Sequence, residues 1–559
     1  MIILGINANV HDSSVAVLEE GRIRYATEEE RLNRKKHFGG FPEKALRRAL
    51  DIVGGPERID LVVHPWLPWR FYRYELRENL PRLFGRRVFL HLHQIFAAHN
   101  DLAAYLNIER RFRRPPWRGR FAHCEHHLAH AASAFYASPF AEAAILTMDA
   151  RGEAASTRFW VGRGTEITPL GEIRLPHSLG HLYAQITAYL GYGSNDEYKV
   201  MGLAPYGRPA YKAWFDGAVE LQPRGRYRIR RRHMDYYRGF TAELLRLGPP
   251  RSDGTHPDQW QKDMAASLQT RFEDAVLHMT AWLRTSTGMK NLCIAGGCGL
   301  NAVVNGRIAR EGGFEGVWVQ PASSDAGLSL GAALWGAHGL LGQPRTPAMD
   351  RADLGDEFSE EEIERTLRRF KIRYARMDNP ERTGAEIIAA GGILGWFHGR
   401  SEFGPRALGR RSILADPRRP DMKDRVNSVI KNREGYRPFA PACREEDVAE
   451  YFEWGGALPF MIFVFPVRQA WRDRLPAITH VDGTARIQTV RRRDNERYWS
   501  LIGHFRDLTG VGVVLNTSFN LQGEPIVNSP ADAVRTFYSS GLDALLLERF
   551  LVRKDGVPS

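Results

Sequence analysis

The chain has 559 residues, too many for one hydrophobic core, because cores stop growing at roughly 250–300 residues and longer chains divide. An apolar fraction of 43% with 26% charged residues excludes extensive disorder, and the longest weakly polar runs, IIAAGGILGWF and FMIFVFPV, fall well short of the ~20 residues a membrane helix needs. Lys and Arg exceed Asp and Glu by 78 to 65, an imbalance that fits nucleic acid, anionic substrates or a merely arginine-heavy composition and does not choose among them.

The opening MIILGINANVHDSSVAVL reads as a strand, a tight turn and a second strand, with no basic leader or cleavage site, so the protein is expected in the cytoplasm. Arginine clusters follow at 110–120, 224–233 and 491–493; with no nucleic-acid module around them they read as solvated faces, and nucleic acid as an unlikely partner. In HCEHHLAHAASAFY, His126 and His130 are four apart, one helical turn, and project from one face, the spacing by which paired helical histidines hold a first-row metal. His123 and His127 fall on other faces and read as solvent-facing or structural. Oxygen ligands to complete a set are Asp149, ending the strand AAILTMD, and Asp325, following GVWVQPASS. Both stand where α/β sheets present working residues, at the carboxyl ends of strands.

Short strands alternate with helical stretches to about residue 340, which predicts α/β architecture. Between 341 and 358, LGQPRTPAMDRADLGDEF has the composition of a linker and marks a domain boundary between units spanning 1–345 and 355–559. Ser359 followed by Glu362 predicts a capped helix. A second α/β domain follows, through ILGWFHG, MKDRVNSVIKNRE, VGVVLNTSFN and ALLLERFLV. No tandem repeat is visible. Cys124, Cys293, Cys298 and Cys443 form no CxxC or zinc-ribbon spacing and read as buried thiols.

Taken together, GINANVHDSSVAVLEEGRI, EEERLNRKKH, HHLAHAASAFY, MDARGE, EYKVMGLAPYG, GGCGLNAVVNGRI, PASSDAGLSLGAA, RSEFGPRALGRRSIL, KNREGYRPFAPA, DGTARIQTV and VLNTSFNLQGEPIV resemble, in order and over nearly the whole chain, the O-carbamoyltransferases of the NodU/CmcH family. The resemblance implies an actin-like ATPase (ASKHA) fold in the first half and a YrdC-like α/β domain in the second. The second half would make carbamoyl-adenylate from carbamoyl phosphate and ATP, with Mg2+ accompanying the nucleotide. The first would pass the carbamoyl group to a hydroxyl of a small-molecule acceptor. It also implies iron at His126, His130, Asp149 and Asp325, where the donor set alone also suits zinc or manganese.

The family's anion-binding positions fall on Lys36, Arg406, Lys431, Arg437, Arg486, Asn516 and Ser518, residue types that match a polyanion. Arg410 and Arg411 read equally as an exposed turn. His11 and Asp12 occupy the first turn, where a histidine can deprotonate or orient an acceptor hydroxyl. Glu197, Lys199, Gly202, Gly296, Gly297 and Asn301 belong to the implied nucleotide cleft, with Asn305 adding a directional contact. The chain departs from the family in DARGE, where a glycine commonly follows the aspartate, and in Cys298 and Gly299, where valine and alanine are usual. Acceptor specificity is expected from segments 66–120 and 208–260, whose basic lining would suit an anionic sugar or nucleoside. Two alternatives are a tRNA-modifying or RNA-binding factor and a hydrogenase-maturation enzyme. The latter joins the same modules in the opposite order behind cysteine-rich zinc fingers, which this chain lacks. A homodimer would be unsurprising.

Overall fold

A computed structural model describes residues 1–9, 11–82, 88–235, 239–346, 348–428 and 434–554. The first sheet comprises β1 (Ile2–Asn7), β2 (Ser14–Glu19), β3 (Arg22–Glu28), β4 (Leu61–His64) and β5 (Arg120–His123), in the order β3-β2-β1-β4-β5. Strands β1 to β3 are antiparallel, and β4 and β5 add in parallel. The second sheet repeats this plan. Its strands are β6 (Glu142–Met148), β7 (Ala155–Arg163) and β8 (Glu166–Arg174), then, after a hairpin of β9 (Val219–Gln222) and β10 (Arg226–Ile229), β11 (Asn291–Ala295) and β12 (Gly316–Val319). The order β12-β11-β6-β7-β8 again has three antiparallel strands followed by two parallel ones. This duplicated plan is the actin-like architecture, and it is carried by strand pairing rather than by any sequence repeat.

β1 and β6 are buried along nearly their whole length because each lies at the centre of its sheet with both faces covered. Helix Leu328–Leu334 closes on β1 so tightly that a Cβ on Gly5 would stand 1.8 Å from the Ser329 carbonyl oxygen. The same helix meets helix His126–Phe135, where a Cβ on Gly331 would stand 1.9 Å from the Ala129 oxygen. Only glycine permits these approaches. They bring the turn at Asp325 to the first turn of the histidine helix.

The C-terminal half is built on one mixed eight-stranded sheet. Its strands are β13 (Ala375–Arg376), β14 (Leu394–Phe397), β15 (Arg411–Ala415), β16 (Ala440–Arg444), β19 (Gln488–Val490), β20 (Val513–Ser518), β21 (Ala544–Leu547) and β22 (Phe550–Arg553), in the order β13-β22-β21-β14-β15-β20-β16-β19. A separate ribbon pairs β17 (Val464–Pro466) with β18 (Thr484–Arg486). The predicted cap holds: Ser359 Oγ accepts from Glu362 N at 3.3 Å, and the Glu362 carboxylate accepts from Ser359 N at 2.8 Å.

Segment 341–358 has linker composition but not a linker's exposure. Asp356 is buried and accepts from Tyr25 OH, Arg48 Nε and Asn528 Nδ2 at 3.1, 2.7 and 2.7 Å, so one carboxylate ties both halves. Arg410 and Arg411 are corrected in the same way. Arg411 is fully buried, donates to the carbonyls of Asp356, His398, Gly399 and Asn528, and lies 3.6 Å from the Phe397 ring; Arg410 pairs with Asp353 at 2.8 Å. A guanidinium with five donors can satisfy converging coil carbonyls, which explains why arginine is buried here.

His64, at the end of β4, is fully buried against the Tyr105 and His123 rings. Burial, and secondarily the neighbouring His123, push its imidazole down to about 3. Its unfolded value is about 6.5, so its contribution to stability is complete above that pH and is lost as pH falls towards 3. Replacing His64 with leucine is expected to flatten the acid limb of the stability curve by about 2 kcal/mol between pH 6.5 and 5. Chemical denaturation at the two pH values measures this; an unchanged difference would reject a neutral buried His64.

Candidate functional site

The histidine helix starts under the control of a residue that sequence reading passed over. Glu153 of DARGE is buried, and its Oε1 accepts from both Leu67 N and His126 N at 3.0 Å, fixing the helix N-terminus. His126 Nε2 lies 3.3 Å from Asp149 Oδ2 and 3.8 Å from Asp325 Oδ1; His130 Nε2 lies 3.0 and 3.5 Å from the same atoms. All four side chains are buried, and one ligand atom from each lies within 4.8 Å of the others. Burial alone would lower the His130 imidazole, but Asp149, hydrogen-bonded to it, and the Asp325 carboxylate 3.5 Å away bring it up to about 9. Burial would raise Asp149, and the two histidines outweigh it and hold the carboxyl well below its usual range. His127 and His123 are structural: His127 bonds Thr147 Oγ1 and the Ala155 oxygen at 3.1 Å, and His123 bonds the Trp66 oxygen at 2.9 Å.

His11 approaches this cluster from the β1–β2 turn, with Nε2 3.6 Å from Asp325 Oδ2 and Nδ1 3.4 Å from Asp12 Oδ2. Asp325, followed by burial and Asp12, shifts its imidazole, the net result being a rise to about 10. Asp12 has left-handed backbone at φ 58° and is shared with His37, whose Nδ1 lies 2.8 Å from Asp12 Oδ1. A His37–Asp12–His11 chain thus leads to the cluster. Nothing in the sequence separated His37 from the basic run RKKH.

A cavity of about 590 Å³ runs from this point between the halves. The N-terminal half contributes His11, Asp12, Lys36, Asp149, Glu197, Lys199, Gly297 and Asn301 to its wall, and the C-terminal half contributes Arg406, Arg437 and Ser518. Part of its lining is cationic. Burial and the neighbouring Arg437 push Arg406 down to about 10, and burial lowers Lys36. Arg406 Nε is buried without a hydrogen-bond partner among the described residues. Arg437 lies 4.7 Å and the Lys36 ammonium 6.0 Å from the Tyr198 ring centre. The loop carrying Arg406 is held from the other half: Glu28 Oε1 accepts from Gly404 N at 2.7 Å, and buried Arg31 donates to the Gly404 oxygen while pairing with Glu28 at 3.4 Å. Arg34 grips the Pro525 and Ile526 carbonyls at 2.7 and 2.6 Å, closing the wall formed by 520–526.

The remaining predicted residues are placed differently. Asn301 lines the wall, but its side chain caps helix Ala302–Glu311 and exchanges bonds with Gln269. Asn305 is buried on the Gly299 and Ile462 carbonyls. Lys199 is paired to Asp196 and Glu434 at 3.0 and 2.9 Å. Asn516 bonds Gln488 and the Ala407 oxygen, and neither it nor Arg486, in β18, lines the cavity. Gly202 is buried 3.6 Å short of Pro438, measured from an added Cβ, and Gly296 takes φ 92° against the Met148 carbonyl. Lys431 lies outside the described residues. No described residue of 66–120 or 208–260 lines this wall; helices from 66–120 lie behind the histidine helix, where Trp66 meets His126 at 4.6 Å.

The departures are accommodated. Ala150 is outside the left-handed region, so it needs no glycine, and Gly299 leaves room for Ser323, whose Oγ an added Cβ would approach to 2.5 Å. Three cysteines are buried, but Cys298 is partly accessible and faces the cavity.

Two family models cover the chain: carbamoyltransferase N-terminus over 2–68 and 72–334, and carbamoyltransferase C-terminus over 385–554. The chain belongs to the carbamoyltransferase family. It is 42% identical to nodulation protein NolNO of Sinorhizobium fredii, over 98% of this chain and 80% of that one. It is 45% identical to nodulation protein NolO of Bradyrhizobium diazoefficiens, over 77% of this chain and 78% of that protein. An uncharacterized protein of Synechocystis is 40% identical over 100% of this chain and 97% of its own length. Among solved structures, HypF of T. kodakarensis aligns with TM-score 0.34 and 15% identity over 61% of this chain and 48% of that one. This carbamoyltransferase therefore lines one cavity both with Asp149 of its His/Asp cluster and with the cations Lys36, Arg406 and Arg437.

Proposed function

We propose that this carbamoyltransferase forms carbamoyl-adenylate at the cationic end of the cavity and transfers its carbamoyl group to an acceptor hydroxyl at the His/Asp end. The observation that supports the reading is one cavity whose lining includes both Arg406 and Arg437 and His11 and Asp149. Water would cleave carbamoyl phosphate to carbamate and phosphate; a carbamate oxygen would then bond the α-phosphorus of ATP as pyrophosphate leaves. Arg406, Arg437 and Lys36 offer the guanidinium forks and ammonium this polyanionic step needs. In the transfer, the acceptor oxygen bonds the carbamoyl carbon, AMP leaves with the electron pair of the broken C–O bond, and the hydroxyl proton is taken at His11 Nε2. Asp12, bonded to His11 and His37, fixes the plane of the His11 ring.

Two imidazole nitrogens and two carboxylate oxygens, all buried, with Asp325 Oδ1 lacking a hydrogen-bond partner among the described residues, fit a divalent first-row metal. Such an ion would draw off the charge of Asp149 and Asp325, relieve His11 of Asp325, and bind a phosphate oxygen. His126→Ala with His130→Ala is expected to strip the protein of bound transition metal, read by elemental analysis, and to stop transfer. Full metal retention in the double variant would overturn the assignment. For the reaction itself, pyrophosphate and AMP should appear only when ATP and carbamoyl phosphate are both present; failure with iron, zinc and manganese alike would reject adenylation.

A further inference from the structure

Helices Pro68–Asn79 and Val88–Phe112 have inward faces that are fully accounted for. Phe71, Glu75 and Asn79 on the first and Leu102, Tyr105 and Ile108 on the second are buried, and Arg151 pairs with Glu75 beneath them. Their outward faces are not. Phe89 is 83% exposed, Phe96 65%, Trp69 58% and Leu80 48%. A helix that is apolar on both its core side and its water side has more apolar surface than the fold covers.

These residues form stripes rather than isolated exposures. Trp69, Arg73, Arg77 and Leu80 follow at helical spacing, all exposed, and so do Phe89, His93 and Phe96. The Tyr72 ring joins the two helices, 6.5 Å from Trp69 and 6.2 Å from His99. No ion pair links Arg73 or Arg77 to another described residue, and between 66 and 120 twelve arginines stand against four acidic residues.

We propose that this face docks on an anionic lipid surface. Charge decides between that occupant and a second copy of the chain. A two-fold contact through the face would set exposed arginines of one copy against those of the other, whereas acidic headgroups meet the arginines and the acyl boundary takes Trp69, Phe89 and Phe96. No described helix is long and apolar enough to cross a membrane, so the contact is superficial. The surface lies on the opposite side of these helices from their packing against the N-terminal half, and none of its residues lines the cavity.

Cosedimentation of the full chain with vesicles tests this. Binding is expected to vesicles of phosphatidylcholine mixed with phosphatidylglycerol, weakly or not at all to phosphatidylcholine alone, and to fall with added salt. Arg73→Glu with Arg77→Glu should weaken it at least twentyfold, at about fivefold for each cation removed from an acidic surface. Trp69→Ser with Phe89→Ser and Phe96→Ser should abolish it, with the melting temperature and carbamoyl transfer in free solution unchanged. No binding to either vesicle, or equal binding by parent and variants, overturns the proposal. So does a dimer that the serine variant converts to monomer without any vesicle binding, or tRNA binding lost in these variants while vesicle binding is absent.

Discussion

Arg406→Ala is expected to reduce pyrophosphate release on the order of 10²–10³-fold while leaving the fold as stable as the parent or more stable. The two effects have one cause. Arg406 is pressed down to about 10 by burial and by Arg437, and its Nε has no hydrogen-bond partner among the described residues. A cation held in that condition costs stability on the order of 1–3 kcal/mol, which is recovered when a polyanion occupies the lobe. Arg437 is the control. It pairs with Glu434 at 3.5 Å, so Arg437→Ala should lose both activity and stability, because Glu434 is left with Lys199 alone. Arg406→Lys should restore part of the activity, since an ammonium supplies the charge without the bidentate fork. Thermal melts beside a pyrophosphate assay distinguish the variants. Pyrophosphate release within tenfold of the parent in Arg406→Ala would remove the cationic lobe from the proposed mechanism.

His11→Asn is expected to separate the two reactions. The substitution keeps a hydrogen-bonding group near Asp12 but removes the ring nitrogen aimed at Asp325, so carbamoyl transfer should fall by on the order of 10²–10⁴ while AMP and pyrophosphate continue to appear. Without transfer, the adenylate hydrolyses, and uncoupled pyrophosphate production is the signature to measure. Loss of both reactions together would mean that the two ends of the cavity do not divide the work.

Local spacing carried most of what was legible. His126 and His130 declared themselves because helical period is a property of neighbours, and Asp149 and Asp325 because strand ends are recognisable one at a time. Their convergence depends on Gly5 and Gly331 admitting helix Leu328–Leu334, a close approach that periodicity does not encode. Polar residues were the harder case. Asn301, Asn305 and Asn516 have the donors a nucleotide would use, yet each is spent on the chain's own buried carbonyls, caps or amides, because coil passing through an interior must satisfy its backbone. Arg410 and Arg411 sit in a stretch that reads as a surface turn and instead hold coil together from within. No described residue of the expected acceptor segments, 66–120 and 208–260, lines the cavity between the halves, and being unlike the family marks a stretch only as variable.

The hold that Glu28 and Arg31 keep on Gly404 bears on how relatives with different acceptors could be recombined. A crossover at 341–358, where composition invites one, would join a foreign C-terminal half to a Glu28–Arg31 stretch that had not shaped its Arg406 loop, and would also split the buried anchors of Asp356. Productive chimeras should instead inherit 28–34 together with 404–406 and 524–526 from a single parent, although these stretches are hundreds of residues apart along the chain. The unit of exchange is then a seam in three dimensions rather than a segment of gene.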